Sequence, residues 1–332
     1  MKTSGLLHSE TGRTVLVTGA TGFIGRALTR RLIERGDRVV ALSRDPARAR
    51  RLLGDAPAIV GSLREIAPTQ AIDAVVNLAG ASVFGRPWTK QRRQVMAASR
   101  VGSTRTLVDW LAGRAQRPEV LASASAIGWY GAGGDTALDE TSPVGSDFRA
   151  ALCNAWEREA TSATMLGLRV CRLRFGLVLG RDGKLLAGLL PFYRLGLGAK
   201  LGDGRQWLSW IHIDDAVELV LRSLGDPLFS GPINATAPKP VRQAEFAAAL
   251  GRAVRRPALL RVPAFALNAG LGEMARLLLD SQRVLPRRAR EIGFVFRCHD
   301  LETALDDLLM PRTPRRGAQG GATVRLMDNL LT

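Results

Sequence analysis

Gly19-Ala20-Thr21-Gly22-Phe23-Ile24-Gly25 is the stretch that decides the fold of this 332-residue chain. The β-branched run Thr14 to Thr18 precedes it, and a segment of helical periodicity, Phe23 to Arg35, follows it. Between a strand and a helix, glycines allow a tight turn and let the backbone approach a pyrophosphate, which the free N–H groups of a helix N-terminus attract. A purely structural glycine turn is the alternative. We predict cofactor contacts from Gly19, Thr21, Gly22, Phe23, Ile24 and Gly25.

Short apolar runs alternate with segments of helical periodicity through the first half of the chain. Further strands are predicted at Val39–Leu42, Ala74–Leu78, Val120–Ser123 and Arg169–Leu173. Helices are predicted at Pro46–Leu53, Lys90–Leu111, Asp147–Leu166, Asp214–Leu224, Gln243–Val254, Leu267–Leu279 and Leu301–Leu309. Such alternation is typical of a parallel sheet with helices on both faces.

The predicted fold is therefore α/β, a Rossmann-like doubly wound parallel sheet with a smaller C-terminal substrate-binding part. From about Gly176 the sequence becomes richer in glycine-containing loops and in prolines. We predict a leader at residues 1–13, an NAD(P)-binding domain at 14–175, a substrate-binding part at 176–310 with some elements returning to the sheet, and a flexible tail at 311–332.

Charge is the unusual feature of the composition. Lys and Arg total 47 against 30 Asp and Glu, which gives a net charge of +17. Such an excess suggests a polyanionic partner, but almost all of it is arginine scattered over the whole length, and no helix-turn-helix, zinc-finger or RNA-binding signature accompanies it. We expect no specific nucleic-acid partner, and a basic nucleic-acid binder is the third alternative for function.

The cysteines and the hydropathy of the chain indicate where in the cell the protein is expected. The three cysteines are far apart and form no CxxC pair, so the sequence indicates neither a disulfide framework nor a zinc site. No window is long and apolar enough for a membrane span, and the first residues lack the apolar stretch of a secretory signal. We expect a cytoplasmic protein with no bound metal and no membrane association.

Two further segments bear on the cofactor. Dinucleotide-binding folds that prefer NAD usually place an acid near the end of the second strand, where this chain has Ser43-Arg44. A hydroxyl and a guanidinium suit a 2′-phosphate, which favours NADP(H) over NAD(H), although Asp45 follows directly. Loops at the carboxyl ends of parallel strands border the ligand crevice, which predicts cofactor contacts from Asn77, Ala79 and Gly80.

Three motifs, TGATGFIG (18–25), NLAGA (77–81) and SASAIGWYG (123–131), resemble the extended short-chain dehydrogenase/reductase superfamily. More narrowly, Pro87–Val108, Asp147–Glu157, Leu201–Val217 and Asn234–Ala247 resemble its atypical NAD(P)-dependent epimerase-like (YfcH-like) branch. The resemblance implies an NADP(H)-dependent oxidoreductase or epimerase-like enzyme acting on an unidentified small molecule. Analogy with relatives also allows a homodimer.

In that superfamily a Ser or Thr, together with a Tyr and a Lys from YxxxK, carries out the proton transfer. Ser125 matches the hydroxyl position, with a strand-end structural role as its alternative. The region expected to hold YxxxK contains neither Tyr nor Lys. Alignment on Glu157 puts Arg149 and Cys153 at the two places, and alignment on Phe148 puts Phe148 and Leu152 there.

Tyr130 is the best spare phenol, so Ser125 and Tyr130 are the catalytic candidates, with packing as the alternative for Tyr130. Arg100, in the branch's SRxxxT pattern, either reaches an anionic group of substrate or cofactor or caps and pairs helices. Substrate contacts are also expected from Arg174, Gln206, Ser209 and Trp210. Because the usual dyad is missing, an NADP(H)-binding regulatory or redox-sensing protein without turnover is the alternative function.

Overall fold

The computed structural model describes residues 12–85 and 87–310. The predicted tail, and the predicted leader apart from residues 12 and 13, lie outside the described residues. Strands occupy β1 (Thr14–Thr18), β2 (Arg38–Leu42), β3 (Ala58–Val60), β4 (Ala74–Asn77), β5 (Val120–Ala126), β6 (Ala137–Leu138), β7 (Arg169–Phe175), β8 (Leu177–Leu179), β9 (Ala199–Leu201), β10 (Trp207–Leu208), β11 (Trp210–His212), β12 (Gly231–Ala235), β13 (Val241–Arg242), β14 (Leu260–Val262) and β15 (Arg283–Val284).

The helices are α1 (Phe23–Glu34), α2 (Pro46–Leu53), α3 (Lys90–Ala97), α4 (Ser103–Ala112), α5 (Phe148–Thr161), α6 (Lys184–Arg194), α7 (Ile213–Gly225), α8 (Gln243–Ala253), α9 (Ala264–Leu271), α10 (Arg276–Leu279), α11 (Arg287–Glu291) and α12 (Leu301–Leu309). A π-helical turn, Ala98–Gly102, joins α3 to α4. Within residues 12–85 and 87–310, no helix has both the length and the apolar character to cross a membrane.

Seven parallel strands form the central sheet in the order β12-β7-β5-β4-β1-β2-β3. The chain runs from β1 outward to β3, and then crosses back to β4 and continues in the other direction. This is the predicted doubly wound, Rossmann-like sheet. The strand order reverses between β1 and β4, and Thr18 at the end of β1 is in register with Asn77 at the end of β4. Ligands of such sheets bind outside the carboxyl ends of the strands at this switch point.

Both faces of the sheet are covered, as the continuous apolar run of β1 requires. Val15 and Val17 face a core that includes Leu28 of α1 and Val217 of α7. Leu16 points to the opposite face and packs in a second core with residues of α4 such as Leu107. The alternation along one strand therefore fixes helices on both sides, and α1 is held with its N-terminus at the switch point.

Several elements differ from the sequence predictions. The strands β3 and β12 were not predicted, because β3 has only three residues and β12 opens with Gly231-Pro232, residues that argue against a strand except at a sheet edge. The helix α6 was not predicted either, and it contains an internal Pro191. The continuous helix expected at Lys90–Leu111 is interrupted by the π-helical turn.

The two glycines Gly25 and Gly188 provide a test of the packing at the switch point. A Cβ at Gly25 would lie 2.2 Å from the Gly19 carbonyl oxygen, whereas a Cβ at Gly188, inside α6, meets no atom within 4 Å. We expect Gly25→Ala to lower the free energy of unfolding by about 2 kcal/mol or more. Gly188→Ala should raise it by about 0.5–1 kcal/mol, because alanine is the better helix residue. Urea denaturation measures both, and equal effects at the two positions would contradict this packing.

Candidate functional site

The glycines of the first turn have separate structural reasons. Gly19 has φ +69°, and a Cβ there would lie 2.5 Å from the Leu78 carbonyl oxygen, so the backbone of the turn touches the loop after β4. Gly25 is buried where α1 packs on the turn, as described above. These two glycines are explained by the fold itself.

The packing around Gly22 is less tight than the packing around Gly19 and Gly25. It is exposed, has φ −73°, and a Cβ there would meet only the Gly19 carbonyl oxygen, at 3.1 Å. It is the N-cap of α1, a position where Asp or Ser would stabilise the helix, yet α1 has no side-chain cap and no acid in its first turn. The glycine leaves the N–H groups of the helix N-terminus uncovered, which is the arrangement that binds phosphate groups.

The other turn residues supply backbone around this opening. The Phe23 ring packs against the loop after β8, since a Cβ at Gly180 would lie 2.5 Å from its Cζ atom. Ile24 packs against the core of the α1 face. Thr21 is half-buried beside Gly22. The side chains of Phe23 and Ile24 thus anchor the turn, and cofactor contacts from these two would come from their backbone.

A hydrogen-bond network fixes the loop after β4. The Thr18 hydroxyl donates to Asn77 Oδ1 at 2.7 Å and accepts from the Ala79 backbone N–H at 3.2 Å. The Asn77 amide donates to the hydroxyls of Thr104 (2.8 Å) and Ser123 (3.2 Å). Asn77 is buried and serves as the centre of this network, whereas Ala79 and Gly80 lie at the surface of the crevice.

The SRxxxT pattern, Ser99, Arg100 and Thr104, holds the same loop. Ser99 Oγ accepts from the Ala81 backbone N–H at 2.9 Å, and Arg100 donates to the Ala81 carbonyl oxygen at 3.0 Å. Thr104 reaches Asn77 as described. Ser99 and Arg100 therefore clamp both backbone groups of Ala81, from a π-helical turn of the kind that often marks functional sites.

At the end of β2, the residues Ser43 to Asp45 have different contacts. Asp45 caps α2, since its Oδ1 atom accepts from the Arg48 backbone N–H at 2.9 Å. Ser43 exchanges hydrogen bonds with the Asp45 backbone. Arg44 is exposed and has no ion pair or hydrogen bond among the described residues. At this strand end the guanidinium is free of partners among the described residues, whereas the acid also serves as a helix cap.

A buried polar network lies beyond the end of β5. Ser125 Oγ donates to Glu157 Oε1 at 2.7 Å, and Arg174 pairs with both carboxylate oxygens of Glu157, at 2.7 and 3.0 Å. Arg174 also donates to the Tyr130 hydroxyl at 2.9 Å, which donates in turn to Asn234 Oδ1 at 2.7 Å. All five side chains are buried. The predicted residues Ser125, Tyr130 and Arg174 are thus brought together.

The network distinguishes the two catalytic candidates. Burial raises the pKa of Tyr130 to about 12, despite the neighbouring Arg174 cation, and its hydroxyl is occupied by two internal partners. This favours the packing role for Tyr130 over that of an acid. Ser125 is different, because its hydroxyl donates to a carboxylate and both lone pairs of Oγ can still accept hydrogen bonds.

The helix α5, Phe148–Thr161, directs only one of the two aligned residue pairs toward the end of β5. Arg149, Cys153 and Glu157 form a stripe at intervals of four residues, and a Cβ at Gly128, just after β5, would lie 3.2 Å from Arg149 Cβ and 3.4 Å from Cys153 Sγ. Phe148 faces Trp88 instead. The side facing β5 therefore carries Arg149 and Cys153.

Neither of these two residues has the chemistry of a Tyr–Lys pair. Burial raises the pKa of the Cys153 thiol to about 12, so it is a poor nucleophile and a poor acid at neutral pH. Arg149 forms ion pairs with Asp147 and Asp280.

The residues predicted to contact the substrate, Gln206, Ser209 and Trp210, all have hydrogen-bond partners within the protein. Trp210 is completely buried and its indole N–H donates to the Lys239 carbonyl oxygen at 3.0 Å. Ser209 bonds to backbone groups of Gln282 and Val284, and the Gln206 amide donates to the carbonyl oxygens of Leu201 and Leu278. The polar groups of Trp210, Ser209 and Gln206 join segments of the C-terminal half of the chain. Arg174 is likewise buried, in the network above.

His212, Asp214 and Asp307 lie close enough to resemble a metal cluster. The His212 Nδ1 atom accepts from the Asp214 backbone N–H at 3.1 Å, so neutral His212 carries its proton on Nε2, 3.3 Å from Asp307 Oδ2. Arg297 pairs with both carboxylates. A guanidinium therefore already supplies the positive charge between these acids.

Sequence reasoning missed Glu157, Asn234 and the loop-holding roles of Ser99 and Thr104. The position of Glu157, four residues after Cys153 on the same helix face, was the available signal. Asn234 had none, because β12 itself was not predicted.

Comparisons with known proteins agree with this geometry. The profile of the NAD dependent epimerase/dehydratase family matches residues 15–232, and a domain of unknown function, DUF1731, matches residues 262–308. An Arabidopsis thaliana protein named epimerase family protein SDR39U1 homolog, chloroplastic, is 42% identical over 306 residues, covering 90% of this chain and 87% of that protein. The Bacillus subtilis epimerase family protein YfhF is 39% identical, covering 90% and 98%.

A solved structure is also similar. The crystal structure of the human epimerase family protein SDR39U1 (isoform 2) with NADPH has a TM-score of 0.80 and 32% identity, over 89% of this chain and 99% of that chain.

The ion pair between Glu157 and Arg174 provides a prediction about stability. We expect Glu157→Leu to cost about 3–5 kcal/mol of unfolding free energy, because it leaves a buried guanidinium without its partner. The double variant Glu157→Leu/Arg174→Leu should be more stable than Glu157→Leu alone. Glu159→Leu is the matched control on the same helix, since its partner Arg105 is exposed, and it should cost less than about 1 kcal/mol. Arg174→Leu completes the cycle, and urea denaturation measures all the variants. A cost of the double variant equal to the sum of the costs of Glu157→Leu and Arg174→Leu would contradict the coupling.

Proposed function

The chain belongs to the NAD dependent epimerase/dehydratase family, and we propose that it is an NADP(H)-dependent oxidoreductase or epimerase-like enzyme acting on a small molecule. The observation that carries the proposal is the uncovered N-terminus of α1 at the switch point, where Gly22 stands in a position that local stability would give to Asp. The NADPH named in the crystal structure of the human relative supports it.

Three groups of residues would hold the cofactor. The backbone from Gly19 to Gly25 would bind the pyrophosphate at the helix N-terminus. Ala79 and Gly80 would border the crevice on the β4 side, with Asn77 fixing their loop. Ser43 and Arg44 would meet the adenosine ribose.

Preference for NADP(H) follows from the use of charge at the end of β2. A carboxylate that selects NAD must be free to accept from ribose hydroxyls. One oxygen of Asp45 is used in capping α2, which holds this acid at the helix, while the Arg44 guanidinium is exposed and open to a phosphate. Guanidinium–phosphate contacts are among the strongest hydrogen bonds in proteins.

When bound, the nicotinamide supplies or accepts a hydride. The chain's own contribution to proton movement would lie at Ser125 Oγ, at the carboxyl end of β5. A substrate hydroxyl can pass its proton to Ser125 Oγ while Ser125 passes its own proton to Glu157 Oε1, along the 2.7 Å hydrogen bond. Arg174 holds Glu157 in place for this transfer through two hydrogen bonds.

The alternative, an NADP(H)-binding regulatory or redox-sensing protein without turnover, is favoured by one observation. The helix α5 carries neither Tyr nor Lys, and the Tyr130 hydroxyl is engaged internally. Incubation with NADPH and a library of carbonyl compounds separates the two. Oxidation of NADPH by any member supports the enzyme, and tight NADPH binding without oxidation across the library supports the sensor.

Gly22→Asp tests the phosphate turn. We expect the variant to stay folded, because the favourable Asp N-cap offsets the 3.1 Å contact of its Cβ with the Gly19 carbonyl oxygen, and to lose NADPH binding, because its charge opposes the pyrophosphate. Gly22→Asn is the matched control for bulk without charge and should retain more affinity. NADPH fluorescence titration measures binding, and an unchanged affinity in Gly22→Asp would rule out this turn as the pyrophosphate site.

Arg44→Ala tests the cofactor preference. Loss of a charge-assisted contact with the 2′-phosphate should weaken NADPH binding by about 10- to 100-fold and leave NADH binding unchanged. Arg50→Ala, which removes an exposed charge from α2, is the control and should change neither. Equal weakening of both cofactors by Arg44→Ala would refute a role in selecting the phosphate.

A further inference from the structure

Two guanidinium groups meet at the loop after β4 without any carboxylate. Arg100 donates to the backbone carbonyl oxygens of Ala81 (3.0 Å) and Met96 (3.4 Å). Arg92 donates to the Ser82 carbonyl oxygen. Neither forms an ion pair in the part of the chain that the structure describes.

Three other arginines, from α3, α5 and β7, are different, because each has a carboxylate partner. Arg93 pairs with Glu273, Arg149 with Asp147 and Asp280, and Arg174 with Glu157. Buried or half-buried charges normally have such partners, because removal from water is costly. The lack of an acid at Arg92 and Arg100 therefore leaves an uncompensated positive charge at the rim of the crevice.

The position of Arg100 is closely fixed. Its Cζ atom lies 5.3 Å from the centre of the Trp156 ring. A Cβ on the exposed Gly80 would lie 3.2 Å from the same Cζ atom. A side chain at position 80 would make a tight contact with the guanidinium and push it by a few tenths of an ångström. Glycine at this place thus lets the planar group lie against the backbone of the loop that borders the crevice.

Several N–H donors of Arg100 are still available. Its two hydrogen bonds use one donor each of Nη1 and Nη2, and a guanidinium has further donors on those atoms and on Nε. Burial lowers the pKa of Arg100 and the charge of Arg92 lowers it further, against the opposing effect of Cys153. A bound anion would offset both the cost of burying the guanidinium and its repulsion by Arg92.

We propose that Arg100, assisted by Arg92, binds an oxyanion of the substrate, a carboxylate or a phosphate, at the rim of the crevice on the side of β4. This inference rests on the proposed function and adds the substrate class, a small anionic molecule. Planar guanidinium groups bind such oxyanions with two parallel hydrogen bonds, which orients the ligand as well as holding it. The site lies away from Arg44, so one anion site serves the cofactor and the other the substrate.

The test uses the full chain with NADPH bound and three probes of similar shape: benzoate, phenyl phosphate and neutral benzamide. At constant ionic strength, we expect benzoate or phenyl phosphate to change NADPH fluorescence and raise the melting temperature saturably, and benzamide to do neither. Whichever anion binds more tightly identifies the carboxylate or the phosphate class.

Arg100→Gln should weaken probe binding by about tenfold or more, and Arg100→Lys should keep part of it, since it retains the charge but not the planar fork. Arg158→Gln, which removes an exposed charge from α5, is the matched control and should leave it unchanged. Equal binding of benzamide, or unchanged probe binding in Arg100→Gln, would overturn the proposal.

Titration of the same variants with NADPH keeps the two proposals apart. Wild-type protein that fails to bind NADPH contradicts the proposed function. Wild-type protein that binds NADPH but none of the anions contradicts only the anion site. If Arg100→Gln loses NADPH and probe in equal proportion, Arg100 acts only as a clamp on Ala81 and the anion site is refuted.

Discussion

The close approach of the Gly19 backbone to Leu78 and Ala79 is the contact on which the rest of the site depends. It requires a glycine with positive φ at the end of β1, and it places the glycine turn, residues 19–25, directly beside the loop after β4. The Thr18–Asn77 hydrogen bond fixes the same two strand ends from inside. The crevice at the switch point is therefore built by backbone contacts, and side chains are needed mainly to hold the two loops in place.

Most of the sheet and the phosphate turn could be predicted from the sequence, because apolar runs and glycine spacing are local signals. The β1 strand and the helices α2 and α12 begin and end where the sequence pattern placed them. The internal partners of Trp210 and Gln206 could not be predicted, since their N–H groups bond to residues far along the chain, Lys239 and Leu278. Residue type alone does not say whether a polar group meets a ligand or the protein.

Arginine use connects the composition with the site. Many arginines are engaged in ion pairs, and Arg174 forms one inside the core with Glu157. Near the crevice, Arg44 and Arg100 lack carboxylate partners within residues 12–85 and 87–310. They lie on opposite sides of the switch point, one after β2 and one against the loop after β4. The excess of positive charge therefore bears on ligand binding through arginines that have no carboxylate partner, such as Arg44 and Arg100.

A crystal structure of the protein with NADPH tests the central claim most directly. The account predicts the pyrophosphate on the backbone N–H groups at the start of α1, next to Gly22, the 2′-phosphate against Arg44, and the nicotinamide on the side of the sheet that holds Ser125. A dinucleotide whose pyrophosphate lies away from Gly22, or whose 2′-phosphate does not contact Arg44, would contradict it.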